Sequence, residues 1–255
     1  MRRALPAAVL LAAAVIPAAP AEGGVDWSKA VSCAGNADEA RARGGVLHRR
    51  FQERPGLDVR VDVLCDMAAA PVELPTDCAR TTYGLTGWRW TGPVSFRLDP
   101  ANPWSLPAAG LQAAFRAGAQ AWDDATSADA YGDTTLGGKG RDVGRYDGAN
   151  QLGFKRLQGG AIAVTTTWFY TGTGLAVESD AAYNARHAWS LGGSAATYDV
   201  QDIATHETGH TFGLDDLYDA ADACLTMYGY GAHGDTHART LGDGDVLGMR
   251  AVYGA

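Results

Sequence analysis

The stretch 206-HETGHTFGLDD-216 constrains the fold more than any other part of the chain. His206 and His210 are four residues apart, a spacing that sets two imidazoles on one side only if the segment is helical. Gly213 follows three residues later, where a helix can end in a left-handed residue at no steric cost. A fold that contains this stretch needs a helix ending there and a chain that turns back beneath the histidines. Asp199 is the expected N-cap, Asp202 adds negative charge to the first turn, and Val200 and Ile203 supply an inward face. Together these predict a helix over residues 199–212.

Two imidazole nitrogens on one helix face can hold a zinc ion, and Glu207 beside them can act as general base on a zinc-activated water. A catalytic zinc needs a third protein ligand. Glu207 is the last glutamate in the chain, which excludes any scheme drawing that ligand from a downstream Glu. Asp215, Asp216, Asp219, Asp222, His233, His237 and the later aspartates remain. The turn allowed by Gly213 favours Asp216, and three ligands leave one position open for water. Asp215 and Asp219 are read as solvated loop carboxylates.

The motif HETGHTFGLDD resembles the metzincin zinc signature, and 224-CLTMYG-229, with Met227, is similar to the Met-turn of that group. The resemblance extends over roughly residues 81 to 255. The segment 83-YGLTGWRWTGPVSFRLDP-100 is similar to the start of matrixin catalytic domains, the Trp122 helix to their first helix, and 241-LGDGDVLGMRAVYG-254 to their closing helix. An aspartate as third ligand is the form seen in snapalysin-type secreted bacterial proteases. The resemblance implies an α+β fold with a twisted mixed sheet, an active-site helix, a Met-turn and a C-terminal helix. It also implies a zinc metalloendopeptidase acting on proteins or peptides, with ligands His206, His210 and Asp216 and with Glu207 catalytic. The only histidine between Trp90 and Asp199 is His187, so the second, structural zinc of many matrixins is not expected. Asp133, Asp142, Asp147, Glu178 and Asp180 offer oxygen to calcium. The matrixin cysteine-switch motif is absent, and LPTDCAR around Cys78 matches it poorly.

Residues 1–21 have the basic start, short apolar run and small-x-small end of a signal peptide. Export would place Cys33, Cys65, Cys78 and Cys224 in an oxidising compartment. Of the three possible pairings, Cys33–Cys65 with Cys78–Cys224 is the expectation. Residues 22–80 form an N-terminal extension or a pro-segment, and the alternative functions are a latent zymogen held by that region or a secreted zinc-binding module without activity. A formal net charge of −8 argues against nucleic acid or an anionic membrane as partner. A secreted, extracellular monomer is expected.

Alternation predicts strands over 57–65, with Leu57, Val59, Val61 and Val63 on one face, and over 93–100, 151–157 and 161–170. The strand 161–170 is a candidate sheet edge for substrate. Helices are expected over 105–127, with Ser105 as N-cap and Pro107 in the first turn, and over 243–253. Residues 131–150 read as a loop, residues 71–80 as a linker, and 177–190 fits no element.

Overall fold

The computed structural model describes residues 33, 48–66, 78–158 and 160–255. The signal-peptide segment and residues 71–77 of the linker lie outside the described residues. The first half of the chain forms β1 (His48–Arg54), β2 (Leu57–Asp66), β3 (Gly84–Leu85), β4 (Val94–Leu98), α1 (Ala108–Asp123) and β5 (Tyr131–Leu136). It continues through β6 (Asn150–Lys155), β7 (Ala161–Tyr170), β8 (Leu175–Asn184), β9 (Trp189–Ser190) and β10 (Tyr198–Asp199). Last come α2 (Val200–Thr211), β11 (Leu214–Asp215), β12 (Tyr230–Gly231) and α3 (Asp243–Tyr253).

The main sheet runs β1-β2-β7-β8-β6-β4-β5, with β12 joined to β2. β5, β4, β6 and β8 are parallel, while β7 is antiparallel to β8 and β2 is antiparallel to β7. The helices α1 and α2 cover one face, where Leu111, Phe115 and Trp122 meet Phe96, Leu98 and Tyr183 from the strands and Ile203 from α2. Beneath the other face, Val61, Val63, Val164 and Ala182 pack with Val143 and Leu157. Apolar burial on both faces explains why β7 reads as a nearly continuous buried run.

Four local expectations need correction. Ser105 is not a cap: its φ is 57°, and α1 starts after Pro107, which occupies the N-cap position in extended conformation. The turn before it is built by Asn102, whose Oδ1 accepts from the amides of Trp104 (3.1 Å) and Leu106 (2.9 Å). Residues 131–136 form a strand, because β4 supplies a parallel partner that local Gly and Asp content cannot reveal. The unassigned stretch contains most of β8 and all of β9. Finally, β7 is no edge, since β2 pairs with it from Leu57↔Tyr170 to Cys65↔Ala161.

Both disulfides have the expected pairing, Cys33–Cys65 and Cys78–Cys224. The acidic residues considered for calcium serve the protein's own groups. Asp180 accepts from the amides of Gly144 (2.6 Å) and Gln151 (2.7 Å), and Glu178 accepts from Asp147 (2.9 Å). Asp133 pairs with Arg116 at 2.8 Å.

Candidate metal centre

The helix α2 begins as its sequence requires: the Asp199 side chain accepts from the amide of Asp202 at 3.0 Å. Its far end is closed by two tryptophans. Trp90 Nε1 donates to the Thr211 carbonyl at 2.8 Å, an acceptor that a helix terminus leaves open, and Trp88 Nε1 donates at 3.2 Å to the His210 carbonyl, which also accepts from the Gly213 amide at 3.0 Å. Gly213 then turns the chain at φ 99°, and a Cβ there would stand 2.5 Å from the Trp88 carbonyl oxygen. Residues 214–215 pair with 84–85, which carries the chain back under the helix.

This path brings Asp216 to the two histidines. Asp216 Oδ1 lies 3.3 Å from His206 Nε2 and 3.4 Å from His210 Nε2. All three atoms are buried and none has a partner in hydrogen-bonding geometry. Each histidine's other nitrogen is committed: His206 Nδ1 lies 2.8 Å from the Thr226 carbonyl and His210 Nδ1 3.1 Å from that of Leu214. Carbonyls only accept, so these contacts require Nδ1–H and make Nε2 the nitrogen that each ring turns toward Asp216. Tyr218 donates its hydroxyl to Asp216 Oδ2 at 2.9 Å and fixes the carboxylate. Three orphaned buried donor atoms of the kind that suit zinc, all within 4.8 Å of one another, fit a small divalent cation.

Glu207 is fully buried beside this cluster. Its Oε2 accepts from Thr165 Oγ1 on β7 at 2.6 Å, while Oε1 has no partner. Burial raises the Glu207 carboxyl above its ordinary value, and His206 and His210 oppose that effect. Burial also works to raise Asp216, but the two histidines outweigh it and hold this carboxyl well below the usual range. For His210, burial works downward, yet Asp216 and then Asp62 push the imidazole upward.

Met227 lies beneath the helix, where a Cβ on Gly209 would come within 2.3 Å of its sulfur. Asp245 of α3 holds the turn by accepting from the amides of Thr226 (2.8 Å) and Met227 (3.1 Å). A second group, Asp202, Asp235 and His237, has ligand-type atoms equally close together. Its carboxylates are already engaged, Asp202 by the Ala238 amide (2.8 Å) and Asp235 by His237 (2.8 Å).

The profile of the matrixin family matches residues 88–254. The chain belongs to the matrixins. Among curated proteins no match is found. The family is one of zinc-dependent endopeptidases, and the mixed sheet with helices before and after the histidine helix is the α+β architecture expected of its catalytic domain.

Sequence reasoning missed three groups that meet this matrixin's site. Thr165 read as an ordinary strand residue. Arg60 and Asp62 lie on the face of the 57–65 strand to which the sequence assigned nothing, and only 5% and 0% of their surfaces are exposed. Asp215 is corrected too: it is no solvated loop carboxylate, because Arg60 reaches it across the site.

Proposed function

We propose that the chain is a secreted zinc-dependent endopeptidase with zinc ligands His206, His210 and Asp216. The observation that carries this reading is the convergence of three buried, unpartnered ligand atoms beside an equally buried Glu207. When bound, zinc supplies Lewis-acid polarisation of a scissile carbonyl and acidifies a water toward pKa ~7.

The chain's own residues supply the rest. The Thr226 and Leu214 carbonyls hold both imidazoles with Nε2 toward the metal position. Thr165 fixes one oxygen of Glu207 and leaves Oε1 to take a proton from the attacking water and deliver it to the leaving amine. Met227 and Asp245 keep the floor in place. Secretion is supported by the leader-like residues 1–21 and by two disulfides, which persist in oxidising compartments. Among the described residues no helix is long and apolar enough to cross a membrane.

Equilibrium zinc binding tests the ligand set. The unaltered chain is expected to bind one zinc. Asp216→Ala should weaken that binding by more than the roughly 10–100-fold typical of losing an outer-shell partner. Native zinc affinity in Asp216→Ala would remove this residue from the site.

A further inference from the structure

A second cluster of ligand-type side chains lies at the other end of α2 from the turn at Gly213. Asp202 of the first turn, Asp235 and His237 each place one oxygen or nitrogen within 4.8 Å of the other two. None of them takes part in the catalytic cluster or in the reaction proposed for it. The Ala238 amide donates to Asp202 Oδ1 at 2.8 Å, and the His237 amide donates to Asp235 Oδ1 at 3.0 Å. These bonds use only part of what a carboxylate can accept. They orient the two groups in the way that metal-ligating carboxylates are held by hydrogen bonds of their own.

His237 distinguishes this cluster from an ordinary ion pair. Its Nδ1 stands 2.8 Å from Asp235 Oδ2, yet the two atoms are not in hydrogen-bonding geometry. Both ring nitrogens are buried, and neither has a hydrogen-bond partner. A protonated His237 serving as the cation for Asp235 would aim an N–H at the carboxylate. Donors that share one metal ion instead aim at the ion, and at right angles they stand about 3 Å apart for bonds of about 2.0–2.2 Å. The same relation, close approach without a hydrogen bond, holds among His206, His210 and Asp216.

Charge points the same way. Burial raises the Asp202 carboxyl to about 7, with His237 opposing that rise and Asp235 adding to it. Arg239, two residues beyond His237, is committed to Asp199. The segment also reaches the catalytic cluster, because the Thr240 carbonyl accepts from Thr226 Oγ1 and the Thr226 carbonyl faces His206 Nδ1.

We propose that Asp202, Asp235 and His237 form a second divalent-cation site, which ties residues 235–237 to the first turn of α2. Two carboxylates and one imidazole, with water completing the shell, suit Mn2+. Zinc supplied at one equivalent goes to His206, His210 and Asp216, where two imidazoles face it.

Electron paramagnetic resonance tests the site without measuring activity, since the sharp signal of hydrated Mn2+ is lost on binding. The full chain loaded with one equivalent of zinc should bind one Mn2+. Asp202→Asn, which keeps an acceptor for the Ala238 amide, and His237→Gln should each weaken that binding by at least about 100-fold, beyond the usual effect of an outer-shell change. Zinc content should stay at one in both. Asp216→Ala should bind Mn2+ as the unaltered chain does. No Mn2+ bound by the unaltered chain at millimolar concentration would overturn the proposal even if the variants failed to fold. Binding lost in Asp216→Ala and kept in His237→Gln would place the ion in the first cluster and overturn it too. A chain that takes no zinc but binds Mn2+ through His237 would refute the proposed catalytic centre and support this site.

Discussion

Gly209→Ala sets two effects of opposite sign against each other in the middle of α2. In a free helix this change would stabilise by up to about 1 kcal/mol, because alanine loses less backbone freedom than glycine. Here the new Cβ would fall 2.3 Å from Met227 Sδ and 2.7 Å from Trp122 Cζ2. A thioether can swing aside, but the Trp122 indole is fully buried and donates to the Thr205 carbonyl at 2.7 Å. Overpacking of this kind costs about 1–3 kcal/mol, and with two clashes the upper part of that range applies. The net expectation is a loss of about 1–2 kcal/mol, or roughly 2–8 °C in Tm. Because residue 209 lies between His206 and His210, zinc affinity should fall with it. Urea and thermal unfolding, with zinc titration on the same samples, measure both effects. A variant as stable as the parent, or more stable, would refute the packing of Met227 and Trp122 against this helix.

Two further outcomes follow from the electrostatics and the cross-links. Burial raises the Glu178 carboxyl from its ordinary value to about 7, even though the Asp147 and Gly148 amides bond to it. A raised acid stabilises the fold while protonated, so its contribution is full below the unfolded value and is lost as pH rises through about 7. Glu178→Gln should therefore flatten the fall in urea midpoint between about pH 5 and pH 8, and an unchanged fall would exclude this carboxyl as its source. Replacing Cys78 and Cys224 together by serine opens a loop with sequence separation 146 and should lower stability by about 2–5 kcal/mol in urea unfolding. An unchanged midpoint would show that the cross-link adds nothing.

What could be read in advance was whatever the chain encodes at short range. The cap at Asp199, the turn at Gly213 and the spacing of His206, His210 and Asp216 are local, and α2 and the clustering of these three candidate ligands follow from them. The strand β5 was hidden because Gly132 and Asp133 interrupt its Tyr and Thr residues and read as loop, and β4 supplies what holds it. The same limit applied to β2. Its Leu57-Val59-Val61-Val63 face was visible, but alternation says only that the other side is polar, not what covers it. Here that side faces the candidate metal centre, and Asp215, more than 140 residues away, pairs with Arg60. No window on the sequence contains both partners.

The claim at the centre of this account is that Glu207 performs proton transfer beside a metal held by its neighbours. Zinc content and cleavage of a denatured protein, measured together on the zinc-loaded chain with and without Glu207→Gln, test it most directly. The account predicts one zinc per chain in both, with cleavage abolished by chelator and restored by zinc in the chain that retains Glu207. It predicts nearly complete loss of turnover in the chain carrying glutamine. Undiminished cleavage by the Glu207→Gln chain at equal zinc content would contradict it.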